Sequence, residues 1–513
     1  MTISKTFARM FAACSVALLL VSPALAAPKS ITIALSSDAL YLDPQQQYET
    51  VTNLVCRHLY EPLVTSNADG SALEPTLAES WTLAPDNLTW TFNLRKNVTF
   101  TDGSPFTAQD VVFTVERARV LLARAQVASI KEMQIVDDHT LKITTIGPDA
   151  MLLHNLARLP IVNKVYFTRV GEAEANLKPA GTGPYVCDKW VKEDYIALSA
   201  NPGYWGKKPA IGKVLFRPIT NQATRTAALL TGEVDFAADI PVRDVQRVEQ
   251  AKKLDLVTYP SRRVIYLHVD AHRSPTPGVA LPQNPMKDLR VRQAMSMALD
   301  RKTIARVTMN QRAYATGEMV LKGMGGYLGD PVPEYNPERA KALLKEAGWG
   351  NGFTIALDAP NGRYANDAQV AQAIAGMLTK VGITVDLRLH PKTTFFDFVR
   401  PGDKSSLILT GWSENVDAVA LAYVLFYTRK GIKGGSNRGH YSNADFDRLI
   451  DAAADSVDLK KRLTLSEEAM RILYHSDMGA IPLYFEQSIY AKKKNVTFVP
   501  RADLQILVQD MDI

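Results

Sequence analysis

The chain has 513 residues, of which 46% are hydrophobic and 22% are charged. This balance is typical of globular proteins and excludes disordered, collagen-like and disulfide-scaffold chains. The length is enough for about three domains of average size. The formal charge is +6, yet no basic run is longer than the triplet 492–494. A nucleic-acid partner, which would need a concentrated basic face, is therefore not expected.

The first 26 residues have the pattern of a secretory signal peptide. Lys5 and Arg9 precede an apolar stretch over 10–21, and Ala24 and Ala26 supply the small residues of a cleavage site. The apolar stretch is shorter than the roughly 20 residues needed to cross a bilayer. We therefore expect cleavage after Ala26 and an exported mature chain.

Apolar residues in the first part of the chain indicate both strands and helices. Residues 31–35 form an apolar run typical of a strand, and 53–60 form a short helix-like run. Hydrophobic and polar side chains alternate over 88–95, which is the period of a half-buried strand. Thr107 and Asp110 stand in capping-box positions, and this spacing predicts that a helix begins there.

The second half of the chain predicts alternating helices and strands. Helices are expected over 337–347 and 370–381, and from the cap residue Asn443 onward. Strands are expected over 353–357 and 383–389. The strand, helix and strand between 353 and 389 form a β-α-β unit, which implies a parallel pair with a right-handed crossover.

Sequence motifs of catalysis and metal binding are missing. The chain has no phosphate-binding loop, no dinucleotide-binding glycine pattern and no zinc-protease motif. We therefore expect no cofactor, no metal site and no enzyme, although a catalytic triad that assembles only in space would escape this search. Cys56 and Cys187 would remain after export. They could form a disulfide or stay as buried thiols, and the sequence leaves both possibilities open.

Several short motifs resemble those of a known family. In chain order they are YEPLV (60–64), LAESW (77–81), TDGSPFTAQDV (101–111), GTGPY (181–185), NPGYW (201–205) and VRQAMSMALD (291–300). With these motifs in this order, the chain resembles the large solute-binding proteins of ABC importers for peptides, nickel complexes and related solutes (bacterial extracellular solute-binding protein family 5). The resemblance covers essentially the whole mature chain.

The resemblance implies an α/β protein with the two-lobe periplasmic-binding-protein fold (type II), two hinge crossings and an extra inserted α/β domain. The solute would lie between the lobes, and closure of the lobes would bury it. The implied division is signal peptide 1–26, lobe one 27–61 plus 181–268 plus 488–513, inserted domain 62–180 and lobe two 269–487.

The stretch after Gly411-Trp412 contains the candidate partners of a solute amino group. In peptide-binding relatives an aspartate three residues after a Gly-Trp pair takes this group. Here the pair is Gly411-Trp412 and the third residue is Asn415, which cannot offer a full negative charge. The stretch resembles a subgroup with an acid near Asp417. The resemblance therefore favours Asp417 as the amine partner, with Glu414 as the alternative.

Four further positions are candidates for the cleft, and for the two arginines among them an ordinary surface position is the alternative. Trp412 is expected to line the cleft, although an aromatic residue after a strand is otherwise ordinary core. Arg363 resembles the position that takes a solute carboxylate in dipeptide receptors, and Arg438 is the other candidate cation. Tyr41 lies in the first-lobe loop that would face the cleft.

The leading hypothesis is a monomeric periplasmic receptor that captures a peptide or peptide-like solute and delivers it to the permease subunits of an ABC transporter. A second hypothesis keeps this role for a non-peptide solute, such as an opine, a metal chelate or an oligosaccharide. The altered acid at Asn415 keeps the second hypothesis open. An exported hydrolase is the most distant alternative.

Overall fold

The computed structural model describes residues 28–46, 50–70, 72–400, 402–413, 417–431 and 433–513. The expected signal peptide and two predicted site residues, Glu414 and Asn415, lie outside these ranges. Within them, no helix has both the length and the apolar character needed to cross a membrane.

The protein is a mixed α/β structure. Its strands are β1 Ser30–Leu35, β2 Val64–Ser66, β3 Leu73–Pro75, β4 Ala78–Leu83, β5 Thr89–Leu94, β6 Ile130–Asp137, β7 Thr140–Thr145, β8 Tyr185–Val191, β9 Tyr195–Ala200, β10 Lys213–Pro218, β11 Phe236–Ala237, β12 Leu254–Val269, β13 Ala313–Ala315, β14 Phe353–Asn361, β15 Ile383–Pro391, β16 Leu407–Ser413 and β17 Ala480–Lys493. Its α-helices are α1 Thr50–Leu59, α2 Ala108–Ala118, α3 Leu152–Leu156, α4 Lys164–Leu177, α5 Gln222–Thr231, α6 Val245–Glu249, α7 Leu289–Met297, α8 Arg301–Thr303, α9 Pro337–Glu346, α10 Asp367–Lys380, α11 Lys392–Val399, α12 Ala418–Leu425, α13 Ala444–Ala454 and α14 Leu459–Arg471.

Local sequence signals explain several of these boundaries. The capping box at α2 is formed as predicted, since the Thr107 side chain accepts from the backbone of Gln109 and Asp110 accepts from the backbone N–H of Thr107. The predicted β-α-β unit is also confirmed: β14 and β15 run parallel, with Phe353 opposite Ile383. Amphipathic spacing therefore fixed the type of these elements.

One long sheet runs through both lobes. Its strand order is β15-β14-β16-β12-β17-β11-β1-β10-β9-β8, and β13 adds to β17. The strands before β12 in this order belong to lobe two, and those after β17 belong to lobe one. Each lobe has its own apolar core, built around Ile265, Leu357 and Ile374 in lobe two and around Ile33, Leu54 and Phe216 in lobe one.

β12 and β17 are the two crossings between the lobes. Residues 254–260 of β12 pair with β17 alone, whereas residues 264–268 pair with both β17 and β16. A register shift separates Pro260 from Val264. This irregularity lies a few residues ahead of 268, the lobe boundary that the resemblance implies, which stays a prediction. Proline cannot donate to a ladder, and an irregularity of this kind bends a strand, so the chain can leave one half of the sheet here.

The region between Leu63 and Ile161 has a sheet and a core of its own. The sheet order is β4-β5-β7-β6, all antiparallel. Phe92 on β5 and Val111 on α2 are among the fully buried side chains of this core. This region lies within the span 62–180 that was expected to be an inserted domain.

The two cysteines of the described chain are both free thiols. Cys56 lies in the lobe-one core and Cys187 packs against that core. Burial raises the pKa of Cys187 to about 11 and raises the pKa of Cys56 further. Both groups are therefore protonated and weakly nucleophilic at neutral pH.

Candidate functional site

The lobe-two side of the site is a sheet edge beside the crossing. β12 enters lobe two next to the last residues of β16, since Val264 pairs with Trp412. β14 runs parallel to β16, so the loop after β14, which carries Arg363, emerges at the same edge. Tyr364 of this loop donates its hydroxyl to the carbonyl of Gly411 at 3.1 Å. Arg363 and Trp412 therefore lie on the edge of lobe two that faces lobe one.

The lobe-one side is the matching sheet edge. β11 runs antiparallel to β17, with Ala237 opposite Ala491, and β1 runs parallel to β11. Because β17 enters lobe one from the crossing, the carboxyl ends of β1 and β11 point toward the crossing. Tyr41 lies in the loop after β1 and is 40% exposed. Ligands of open α/β sheets commonly bind at the carboxyl ends of strands.

Trp412 and Ser413 present polar atoms that have no partner among the described residues. The indole Nε1 of Trp412 and the hydroxyl of Ser413 are both buried and make no hydrogen bond there. The Trp412 ring packs against the apolar cluster that includes Val419 and Tyr266. Buried polar groups are nearly always hydrogen-bonded in folded proteins, so these two atoms lack a partner that a folded protein usually supplies.

The two predicted cations, Arg363 and Arg438, converge on one aromatic ring. The guanidinium carbon of each lies 5.8 Å from the centroid of Phe396 on α11. Arg363 also lies 5.1 Å from the ring of Tyr364. Tertiary structure thus brings together two arginines that are 75 positions apart in the sequence.

Arg438 is a buried cation without a carboxylate partner in the described part of the chain. It is 7% exposed, and its Nε makes no hydrogen bond there. Its charge reaches the neighbouring His268, whose pKa is lowered to about 3, first by burial and then by Arg438. Since an unpaired buried charge is costly, this position suits a ligand that supplies a negative charge.

Asp417 is already engaged. Its carboxylate accepts from the backbone N–H groups of Val419 and Ala420 at 3.0 and 3.1 Å, so it caps α12. It also forms an ion pair with Arg462 at 2.6 Å. Asp417 and Arg462 are 7% and 5% exposed. The negative charge predicted to meet a solute ammonium is therefore neutralised within the protein.

The region 62–180 contacts lobe two at this ion pair. Arg462 Nη2 lies 2.9 Å from the sulfur of Met151. His154 on α3 is close enough for Asp417 to favour its protonation, although burial dominates and lowers the pKa of His154. Asp417 thus lies at a contact between two parts of the protein.

Sequence reasoning missed Phe396 and Arg462. Phe396 belongs to the run Phe395-Phe396 after β15, which by itself reads as core. Arg462 ends the basic run 460–462 and resembles a solvated surface residue. Its spacing from Ser466 and Ala469 on the buried face of α14 is the one signal that could have marked it.

Two cavities lie outside this arrangement. One of about 440 Å³ is lined by residues that include Arg301, Tyr474 and Met478. Another of about 450 Å³ is lined by residues that include Asp255 and Arg312. Neither is lined by a predicted site residue.

Metal-binding geometry is also missing from the described ranges. In the described ranges no group of three or more His, Cys, Asp and Glu side chains is placed to hold a metal ion. His440 is not part of such a group. Its ring nitrogen Nε2 lies 2.7 Å from the backbone carbonyl of Gly402, which gives this nitrogen a hydrogen-bond partner within the protein.

Comparison with known proteins gives consistent similarities. Residues 72–434 match the sequence profile of the bacterial extracellular solute-binding proteins, family 5 Middle. The glutathione-binding protein GsiB of Salmonella choleraesuis is 29% identical over 488 residues, which cover 93% of this chain and 92% of that protein.

Two solved structures extend the comparison to the fold. The periplasmic binding protein DppA of Helicobacter pylori, in complex with the peptide STSA, has a TM-score of 0.77 at 25% identity and covers 94% of this chain and 96% of its own. MoaA of A. tumefaciens R10, in complex with mannopinic acid, has a TM-score of 0.78 at 26% identity, with 94% and 99% covered. The similarity therefore extends over nearly the whole chain.

Proposed function

The chain belongs to family 5 of the bacterial extracellular solute-binding proteins, and we propose that it captures a peptide or peptide-like solute between its lobes and delivers it to the permease of an ABC importer. The observation that carries this proposal is the pair of sheet edges at the crossing. Trp412 and Arg363 lie on one edge and Tyr41 follows the other. A solute that contacts both edges favours the closed form, because it gains contacts there that the open form lacks.

A peptide-like solute agrees with the chemistry of the lobe-two edge. Arg438 and Arg363 offer two guanidinium groups, which suit a carboxylate. The partly buried Trp412 and Phe396 offer apolar surface for side chains or backbone. The relative named as glutathione-binding and the similar structure with a bound peptide support the same class of solute.

A non-peptide solute is the second candidate, and two observations favour it. Asn415 stands where the resemblance would require an aspartate, and the charge of Asp417 is taken by Arg462. A similar structure holds mannopinic acid, an opine. The second candidate therefore includes opines, metal chelates and oligosaccharides, with the receptor role unchanged.

The remaining parts of the proposal concern where and with what the protein acts. We propose that it is exported to the periplasm, acts as a monomer and has no catalytic role. The permease subunits of the inner membrane would be its protein partners. An exported hydrolase remains the distant alternative, and turnover of a bound solute would favour it.

The test begins with the solute that the protein carries through purification. Mass spectrometry of small molecules released by unfolding identifies it, and calorimetry on the refolded, emptied protein then measures peptides, opines, sugars and chelated nickel. We expect stoichiometric binding of peptide-like solutes and no turnover. Preferred binding of another class would replace the first candidate by the second. Binding of no solute of any class would contradict the receptor function itself.

A further inference from the structure

Asp239 lies on the lobe-one edge and was not marked by any sequence signal. It follows the carboxyl end of β11 by two residues, where that strand points toward the crossing. The next residue, Ile240, donates its backbone N–H to the carbonyl of Ile489 at 3.1 Å, which ties the loop to β17. The Asp239 side chain is exposed, and in the described ranges no hydrogen bond or ion pair to its carboxylate is found.

The buried side chain of Arg225 hydrogen-bonds to the backbone of the loop that contains Asp239. This arginine is 1% exposed. It donates to the carbonyls of Ala238 at 3.1 Å and Asp239 at 2.9 Å. Asp239 has φ of 53°, in the left-handed region that aspartate and asparagine tolerate better than most residues. Such conformations persist only where the surroundings impose them, and they concentrate at functional sites.

The opposite loop of lobe two reaches the same place. Ala365, two residues after Arg363, packs against the apolar cluster that contains Ile240 and Ile489. Its backbone N–H also donates to Glu486 of β17 at 3.2 Å. The loop with Asp239 and the loop with Arg363 therefore meet at one contact between the lobes.

The charges at this contact are arranged by lobe. Arg263 of β12 and Glu486 of β17 form an ion pair at 3.2 Å on the two crossings, and their opposite charges cancel. Arg263 stays charged: burial opposes this, whereas Glu486, Tyr364 and Asp239 favour it and raise the pKa of Arg263. Asp239 also favours the charged form of Arg225, although burial dominates and lowers the pKa of that arginine. Arg363 and Arg438, which have no ion pair among the described residues, lie on the lobe-two side.

We propose that the carboxylate of Asp239 holds the cationic group of the solute, an ammonium or a guanidinium, while Arg438 and Arg363 hold its anionic group. This assignment rests on the proposed receptor function. A solute with both charges then links lobe one to lobe two, and each charge that closure buries has a partner. Opposite charges on opposite lobes make closure depend on a zwitterionic solute.

The test uses Asp239→Asn, because asparagine retains the side-chain shape and the tolerance for positive φ. Calorimetry compares peptides of two to four residues with a free amino terminus and the same peptides N-acetylated. The variant should bind free-amine peptides at least tenfold more weakly than the wild type. Its affinity for acetylated peptides should change by less than threefold, and its melting temperature should match that of the wild type. Asp194→Asn, at an exposed turn of the same lobe, is the matched control and should leave both affinities unchanged.

The outcomes separate this assignment from the proposed function. If the wild type binds free-amine peptides and Asp239→Asn binds them within threefold, the assignment is wrong and the receptor function stands. If the wild type binds acetylated peptides as tightly as free ones, no group of the protein reads the ammonium and the assignment is also wrong. If the wild type binds neither these peptides nor the opine, sugar and chelate probes, the receptor function fails and the assignment falls with it.

Discussion

Arg462 and Asp417 form a buried ion pair, with Nη2 and Nε of the arginine 2.6 and 3.0 Å from one carboxylate oxygen. The same aspartate caps α12, and the same arginine contacts Met151. The pair therefore links two helices of lobe two to the region 62–180. Asp417 therefore has a structural role, whether or not it also binds a solute.

Asp417→Asn should lower the free energy of unfolding by about 3 kcal/mol or more, because it leaves the charge of Arg462 buried and unpaired. Asparagine is itself a good N-cap residue, so the loss would report the ion pair rather than the cap. Urea denaturation of the solute-free protein measures it. Asp445→Asn, which removes an exposed pair with Arg448, should cost less than about 1 kcal/mol. An unchanged stability of Asp417→Asn, together with a lost affinity, would instead support the amine-binding role.

Arg438→Gln and Arg363→Gln should each weaken binding of a carboxylate-bearing solute by about thirtyfold or more, since a buried anion would lose its partner. Neither variant should lower the melting temperature of the empty protein, because neither arginine has an ion pair in the described ranges to lose. Calorimetry with the identified solute is the measurement, and Arg448→Gln is the surface control. If both variants bind within threefold of the wild type, the solute is neutral at this end.

Solute binding should change the tryptophan fluorescence of the wild type, and this change should be lost in Trp412→Phe. Trp412 is half-buried, and its indole N–H has no partner among the described residues, so closure would change both its burial and its hydrogen bonding. The five other tryptophans serve as an internal reference in the variant. A signal of equal size in Trp412→Phe would place the response elsewhere and remove the evidence that Trp412 lines the cleft.

The stability of the protein should fall between about pH 6.5 and pH 4 because of His58. Its ring is fully buried, with Nδ1 2.8 Å from the carbonyl of Leu54, while Nε2 accepts from the backbone N–H of Val508 at 3.1 Å. Burial lowers the pKa of His58 to about 4, compared with about 6.5 in an unfolded chain.

The sign follows from proton binding. Between these two pKa values the unfolded chain binds a proton that the folded protein does not, so acid favours unfolding, by about 3 kcal/mol at full effect. His268 acts in the same direction. Urea denaturation across this pH range should give a smaller pH slope for His58→Gln than for the wild type, even if the variant is less stable at pH 7. Equal slopes would show that His58 takes up its proton over the same pH range in the folded protein as in the unfolded chain.

Sequencing of the mature amino terminus after export should give Ala27-Pro28-Lys29. The small residues before this point and the apolar stretch ahead of them fit cleavage by a signal peptidase. Cys14 lies within the apolar stretch, and a mature protein that begins at this cysteine with a lipid attached would contradict the prediction.

The sequence by itself determined the elements and the family. Local signals such as the Thr107–Asp110 capping box and the period of 353–389 depend only on neighbouring residues, and the structure has both. The order of motifs from 60 to 300 resembles that of a known family, and this resemblance was enough to indicate the two-lobe fold. Trp412 and Arg363 were proposed in the same way, as positions within a recognisable pattern, and their contact with a solute stays a prediction.

Only the tertiary structure decided which charges are free. Asp417 and Arg462 are 45 positions apart, and nothing local shows that one neutralises the other. No motif marked Asp239; the role proposed for it rests on the pairing of β11 with β17 and on the hydrogen bond from the buried Arg225 to its backbone carbonyl. The register shift between Pro260 and Val264 likewise depends on which strands lie beside β12. Charge pairing and strand order are properties of residues distant in sequence, so a pattern of neighbours could not determine them.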